Sequence, residues 1–226
     1  MMIENALSEQ EAFGLEALSD CVRKLLPNEL PFYEVREFGE EESEKYGIYN
    51  VQGGNFVTYL QGLLQQYLPG VTASIYNAIQ MAYEVTDWSD LGFPAPEELG
   101  IRTAEFLHYK QTGQLGSHAD SGSVFSISIA MSDINDYKGG YFQLATNDAL
   151  FKVPRRSAIV FFSESDHSIT QITDGERKVF VMELWEEQDV PIGLPRPSVE
   201  QFDEHKETRA PYLHQEDGEA SGSDEL

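Results

Sequence analysis

Residues 116–132 read GSHADSGSVFSISIAMS: a His and an Asp two positions apart, a short polar turn, then alternating apolar residues. The alternation predicts a β-strand, since successive strand side chains point to opposite faces. His118 and Asp120 then stand at the mouth of that strand. A polar turn feeding a strand accounts for them, and so does a metal site still lacking a ligand. The rest of the chain has to decide between the two.

Working outward, the sequence changes character after FPAPEELG (93–100). Short strand-like runs alternate with turns at 102–109, 124–131, 141–145, 149–153, 158–162, 167–172 and 177–185. Runs this short and evenly spaced predict an all-β sandwich or barrel. Before them, residues 8–26, 55–67 and 71–85 carry helical patterns, with breaks at Pro27 and at Pro69-Gly70. Ser8 and Glu11 are spaced as a capping box, and Leu15, Leu18, Val22, Leu25 and Leu26 form one apolar stripe. Helices first and strands after, without βαβ alternation, predict an α+β chain with a mainly β core and helices packed outside it. The expected organisation is an N-terminal helical support region (1–100), a core (101–190) and an acidic tail (191–226), disordered from about residue 204. EFGEEESEKYG (37–47) reads as an acidic surface loop.

The 226 residues include 39 acidic and 15 basic ones, a net charge of -24. This charge argues against duplex nucleic acid and anionic membrane surfaces as partners, because both are bound through Lys and Arg. A basic or neutral partner fits the charge better. The single cysteine, Cys21, rules out an intramolecular disulfide and a Cys-based zinc site. It lies in the helical pattern LEALSDCVRKLL and is expected to be a small buried hydrophobe. No run approaches the roughly 18 apolar residues of a membrane span. MMIENALSEQEAF lacks the basic start and apolar core of a signal peptide, while the terminal SDEL is similar to an endoplasmic reticulum retrieval signal. The expected location is the cytoplasm, or the endoplasmic reticulum lumen if SDEL acts as that signal.

Of the five histidines, His205 and His214 fall in the polar tail and His108 on the strand before the motif. His167 differs: it follows SAIVFFSESD and opens a new β run, HSITQI, 49 residues after His118. Two imidazoles and one carboxylate suit a divalent first-row metal and leave coordination positions open, as in non-haem Fe(II) oxygenases. The affinity order among such metals does not favour Fe(II), so copper or zinc in the same site stays open. Arg177 comes ten positions after His167, where a turn at Asp174-Gly175 leads into another strand. Its planar fork can grip a carboxylate through two hydrogen bonds. Upstream, Tyr109 could aim its hydroxyl at the same carboxylate, and Gly113 and Gly116 let the loop turn close to the site. Taken singly, each has an ordinary reading: a capping residue, a surface ion pair, a half-buried strand aromatic.

Together and in this order, the features resemble the 2-oxoglutarate- and Fe(II)-dependent oxygenases, in the branch of the prolyl 4-hydroxylases and procollagen lysyl hydroxylases. The similarity runs over about residues 105–186. DYKGGYFQL (136–144) resembles the family's Gly-Gly-x-Phe element, and VPRRSAIVFF (153–162) its strand before the distal His. HADSGSVFSISIAMS (118–132) is especially similar to the lysyl-hydroxylase form of the motif, and RKVFVMELW (177–185) to the closing strand. The chain departs from the family at Gln171, in a stretch where many members carry Pro.

The resemblance implies a double-stranded β-helix, a jelly roll, with N-terminal supporting helices. It implies that His118, Asp120 and His167 bind Fe(II), and that Arg177, helped by Tyr109, binds the distal carboxylate of 2-oxoglutarate. Dioxygen is then the second substrate, succinate and carbon dioxide are co-products, and L-ascorbate is a helper reductant. The implied activity is hydroxylation of a prolyl or lysyl residue in a peptide or protein, admitted at a mouth left open by the small-residue loop 111–117. A small-molecule oxygenase of the same superfamily is the alternative. So is a non-enzymatic jelly-roll binding module, which would be expected to have a broken triad or no arginine.

Overall fold

Period-two alternation along a few long strands organises the molecule. The computed structural model describes residues 1–24, 48–51, 55–145 and 149–190. The acidic stretch 37–47, the region after residue 190 with His205, His214 and SDEL, and the expected end of the first helix at 25–26 lie outside the described residues.

The chain opens with a short strand, Met2–Ile3 (β1), and a helix, Glu9–Lys24 (α1). Strands Ile48–Val51 (β2) and Asn55–Tyr59 (β3) precede helices Leu63–Tyr67 (α2) and Pro69–Val85 (α3). After a 3-10 turn at Pro96–Glu98 come Gly100–Tyr109 (β4), Leu115–His118 (β5), Phe125–Ala130 (β6), Tyr137–Gly139 (β7) and Phe142–Leu144 (β8). Leu150–Phe151 (β9), Ala158–Phe162 (β10), His167–Ile169 (β11), Ile172–Gly175 (β12) and Arg177–Trp185 (β13) complete the described chain. Seven strands form the major sheet in the order β1-β10-β6-β13-β4-β3-β2, four the minor sheet β5-β11-β8-β9, and β12 pairs with β7. All described strand pairs are antiparallel. This is the expected jelly roll with helices on one side.

Parity decides which face each residue joins. Phe106, Phe125, Ile127, Ile129, Val160, Phe180, Met182 and Leu184 pack with Leu15, Ile75 and Ile79 of the helices in one apolar core. The alternate positions Leu107, Tyr109, Ala130, Ile159, Phe161 and Val179 form a second core with Phe142 and Ile169 of the minor sheet. Fully burying one such Ile or Phe stabilises by about 1.5–3 kcal/mol. A shift of one residue in register would exchange the two sets.

The start of α1 follows its sequence signal. Ser8 N–H donates to Glu11 Oε2 at 2.7 Å, and Glu11 N–H donates to Ser8 Oγ at 3.3 Å. Cys21, expected to be buried, is exposed. The helix buries Ala12, Leu15, Ser19 and Val22, and Cys21 sits a residue before Val22, about 100° away around the axis.

Other expectations are also corrected. Residues 55–59, read as helix, are strand β3, paired with β4 from Asn55↔Tyr109 to Tyr59↔Glu105. Val, Thr and Tyr are strand formers, and the helix begins only after Gly62, whose φ is +76°. Within residues 1–100, β1, β2 and β3 therefore belong to the major sheet. The run 167–172 is two strands, β11 and β12. Asp174 and Gly175 end β12, paired with Lys138 and Tyr137, and do not form a free turn. Most of the loop 111–117 is ordered: Gly113 N–H donates to the Lys110 carbonyl at 2.8 Å, and residues 115–118 form β5.

Candidate active site

The two sheets enclose a cavity of about 310 Å³. His118 comes from the end of β5 and His167 from the start of β11, and the two are directly paired across these strands. Asp120 follows β5 in the turn leading to β6, where its N–H donates to the Ser163 carbonyl at 2.8 Å. Arg177 opens β13 and Tyr109 closes β4, again as register partners. All five line the cavity.

The ligand atoms of His118, Asp120 and His167 lie within 4.8 Å of one another. His118 Nε2 is 3.7 Å from Asp120 Oδ1, and His167 Nε2 is 3.8 Å from Asp120 Oδ2. Both separations are too long for hydrogen bonds. The opposite ring nitrogens are engaged: His118 Nδ1 lies 2.9 Å from the Gly116 carbonyl, and His167 Nδ1 lies 3.0 Å from the Ser165 carbonyl. A carbonyl only accepts, so Nδ1 carries a proton in each ring, and Nε2 is the nitrogen that faces Asp120. Two imidazole Nε2 atoms and a carboxylate thus converge on one point. A cation at their centre would take one donor atom from each, so the donor set fits a divalent metal.

Hydrophobic walls surround the triad. His167 packs edge-on to Phe161 (4.7 Å between centroids), stacks on Phe142 (5.6 Å) and lies 4.2 Å from the His118 ring. Asp120 and His167 are buried, and His118 forms the half-exposed side.

At Arg177 the polar chemistry is incomplete. The side chain is buried, with its guanidinium 5.2 Å from the centre of the Tyr109 ring. Nη1 is buried and has no hydrogen-bond partner among the described residues. The other described side chains with such an atom, Ser19, Thr58 and Gln80, do not line the cavity. A buried unpaired donor is costly and marks a place for an acceptor. Burial pushes the Tyr109 hydroxyl pKa up to about 12, against the lowering effect of Arg177. The group is therefore an O–H donor throughout the physiological range, and the two residues together suit an anionic ligand group. A Cβ on Gly140 (φ +63°) would overlap Ile172 Cδ1 and lie 3.0 Å from Arg177 Cδ, so the Gly139-Gly140 corner closes directly onto the arginine stem.

No family model matches the chain, and no curated protein matches it in sequence. Solved structures do match. The non-heme alpha-ketoglutarate-dependent carbocyclase SnoK of nogalamycin biosynthesis aligns with a TM-score of 0.57 at 13% identity, over 91% of this chain and 85% of that one. A 2OG-Fe(II) oxygenase family oxidoreductase from Burkholderia pseudomallei gives 0.52 at 18% identity, over 85% and 86%. A Trichoplax adhaerens prolyl hydroxylase, solved with a hypoxia inducible factor peptide fragment, gives 0.51 at 12% identity, over 82% and 83%. The chain has the fold of the 2-oxoglutarate- and Fe(II)-dependent oxygenases.

In this oxygenase fold all five residues expected from the sequence meet in one cavity, while His108 lies apart. It faces α1, with Nε2 3.5 Å from Arg23 Nη1. Several polar residues at the site were not anticipated. Ser126 Oγ donates to Asp120 Oδ2 at 2.7 Å and lies 2.8 Å from Ser163 Oγ. Arg102 Nη1 donates to the Ser121 carbonyl at 2.6 Å and to Ser123 Oγ at 3.0 Å. Ser123 donates to Glu183 Oε2 at 2.7 Å, and Glu183 lies 3.6 Å from Arg102 in a buried ion pair. This network pins the turn that follows Asp120. The signal for Ser126 was present in FSISIA, where Ser126 and Ser128 alternate with Phe125, Ile127 and Ile129.

Proposed function

We propose that the protein is a 2-oxoglutarate- and Fe(II)-dependent dioxygenase that hydroxylates a prolyl or lysyl residue in a peptide or protein. One observation carries this reading: three converging metal donors share a cavity with a buried guanidinium that lacks an acceptor. His118, Asp120 and His167 would hold the ferrous ion. Arg177 would bind the distal carboxylate of 2-oxoglutarate, and Tyr109 would donate a hydrogen bond to it. Bound iron and 2-oxoglutarate supply the oxidation: dioxygen gives one oxygen atom to succinate, formed with carbon dioxide, and one to a substrate C–H bond, which becomes C–OH.

The chain itself contributes geometry. The Gly116 and Ser165 carbonyls keep both Nε2 atoms aimed inward. Phe142 and Phe161 exclude water around His167, which strengthens electrostatic interactions there. The half-exposed His118 side is the approach for dioxygen and substrate. L-Ascorbate would restore iron that has lost its reduced state.

A peptide substrate is supported by the resemblance of HADSGSVFSISIAMS to the lysyl-hydroxylase motif, and by the peptide bound to the Trichoplax prolyl hydroxylase. The net charge of -24 favours a basic or neutral chain over an anionic metabolite. The somewhat higher TM-score of SnoK favours a second reading, an oxygenase acting on a small molecule. Incubation with Fe(II), 2-oxoglutarate, ascorbate and a panel of Pro- and Lys-containing peptides, followed by mass spectrometry, separates the two. One added oxygen on Pro or Lys, absent with His167→Ala, is expected. Succinate formation coupled only to free metabolites would select the second reading. No iron-dependent succinate with any substrate would sink both.

A further inference from the structure

The stem of Arg177 runs past a corner built from two glycines. Gly139 and Gly140 have φ of +75° and +63°, and the Gly140 N–H donates to the Gln171 carbonyl at 3.3 Å. A Cβ on Gly140 would overlap Ile172 Cδ1 and lie 3.0 Å from both Arg177 Cδ and Tyr137 Cε2. Two of these three neighbours are boxed in. Ile172 is fully buried, and its backbone pairs with Gly139 across β12 and β7. Tyr137 is buried and clamped by Lys152, whose Nζ donates to the Tyr137 and Ile134 carbonyls, each at 3.0 Å, and lies 4.5 Å from the centre of the Tyr137 ring. The third neighbour, Arg177, has the cavity in front of it.

We infer that Gly140 is a positioning residue for Arg177: its missing side chain leaves the space in which the arginine stem lies, and so sets how far the guanidinium reaches into the cavity. This rests on the reading of Arg177 as the partner of the co-substrate carboxylate. Arg177 lines the cavity and Gly140 does not, so the glycine stands behind the stem. In a close-packed interior a methyl group at Gly140 has to displace something, and the arginine is the neighbour with room to move. A planar fork that grips a carboxylate through two hydrogen bonds tolerates little misplacement. Displacement of the stem is therefore read out as lost co-substrate affinity. The positive φ explains a glycine here on backbone grounds alone; the contact with Arg177 adds a functional ground.

Anaerobic calorimetry of 2-oxoglutarate binding to the Co(II)-loaded protein tests this without turnover. Arg177→Ala comes first: if it binds 2-oxoglutarate as tightly as the unsubstituted protein, the co-substrate reading has failed and this inference with it. With that control in hand, Gly140→Ala is expected to weaken 2-oxoglutarate by about tenfold to a hundredfold, while Co(II) affinity stays within a few-fold. 2-Oxoadipate, longer by a methylene, should lose more than 2-oxoglutarate, because the guanidinium then stands further forward. Gly140→Ala/Ile172→Val deletes Cδ1, the nearest obstacle, and should recover part of the affinity although the positive φ remains. Gly92→Ala controls for that φ: Gly92 has φ +83° and nothing within 4 Å of an added Cβ, so this variant should lose stability and keep its 2-oxoglutarate affinity. A purely structural role for Gly140 would lower Tm and leave the affinities of the folded protein for both dicarboxylates alone. Unchanged 2-oxoglutarate affinity in folded Gly140→Ala overturns the proposal. If that variant does not fold, the double variant decides: binding several-fold weaker is expected, and affinity equal to that of the unsubstituted protein overturns the proposal.

Discussion

The two faces of the seven-stranded sheet obey different rules. Toward the helices, β6 presents Phe125, Ile127 and Ile129, all fully buried and apolar. Toward the cavity the same strand presents Ser126 and Ser128, beside Glu183 and Val181 of β13. One face is filled by apolar volume, and the other adds hydrogen-bonded polar groups to a second apolar core. Neighbouring residues thus carry separate tasks, stability on one parity and chemistry on the other. Substitutions that obey or violate this division can break or sharpen the comparison.

The largest effects are expected on the inner face. His118→Ala, Asp120→Ala and His167→Ala should each reduce iron-dependent turnover to background, while the metal-free fold melts within a few degrees of the unsubstituted protein. Metal titration and circular dichroism check the two halves of that statement. Full Fe(II) affinity in the triple variant would remove the assignment. Arg177→Ala leaves the co-substrate carboxylate unpaired in a buried pocket, a loss of about 3–5 kcal/mol. The KM for 2-oxoglutarate should rise on the order of a hundredfold or more. Arg177→Lys should recover only part, since Lys lacks the planar fork. An unchanged KM in Arg177→Ala would make Arg177 a structural residue.

On the outer face the pattern should invert. Phe125 stacks on Trp88 (4.8 Å, 16°), with Phe93 and Tyr83 at 5.9 and 6.0 Å. Phe125→Ala should destabilise by about 3 kcal/mol, the low end for such truncations, because half-buried Trp88 can move into the space. Denaturant unfolding measures this. Metal affinity of the folded fraction should stay within a few-fold, although Ser126 is the next residue. A collapse of metal affinity there would show that the faces are not separable.

The site was far more legible in the sequence than the sheet edges were. His118, Asp120, His167, Arg177 and Tyr109 have ordinary readings singly, but their order along the chain resembles a known family's motif, and that resemblance implied their convergence. Strand β3 could not, because it is a strand through pairing with β4, some fifty residues further along the chain. β5 and β7 contain Gly, Ser and Lys and have no apolar alternation of their own. Register with β11 and β12 makes them strands. The Ser163–Ser126–Asp120 chain was hidden for a related reason: Ser126 and Ser163 are 37 residues apart and meet only when β10 pairs with β6.

His108 is the exception that measures the outer face's tolerance for polarity, and its expected effect is the smallest. It is a buried imidazole on the helix side of β4, 5.2 Å from the Phe106 ring, with Nε2 facing Arg23. Arginine only donates, so Nε2 accepts and the ring is neutral. Burial, then the charges of Arg23, Lys178 and Lys110, push its pKa down to about 4, with Asp20 opposing weakly. An imidazole whose folded pKa lies below its unfolded value favours folding while it is neutral. Its contribution is therefore complete above about pH 6.5 and is lost as the pH falls toward 4. The loss is about 2 kcal/mol, somewhat below the full linkage value because part of the ring is solvated. Carboxylates also titrate in this range, so the informative quantity is the difference between the unsubstituted protein and His108→Gln. Unfolding free energies measured from pH 7.5 to 4 should diverge from parallel, with the variant losing less stability on acidification. Parallel profiles would mean that His108 gains a proton in the folded state at no cost, and that the outer face tolerates charge as readily as the inner one.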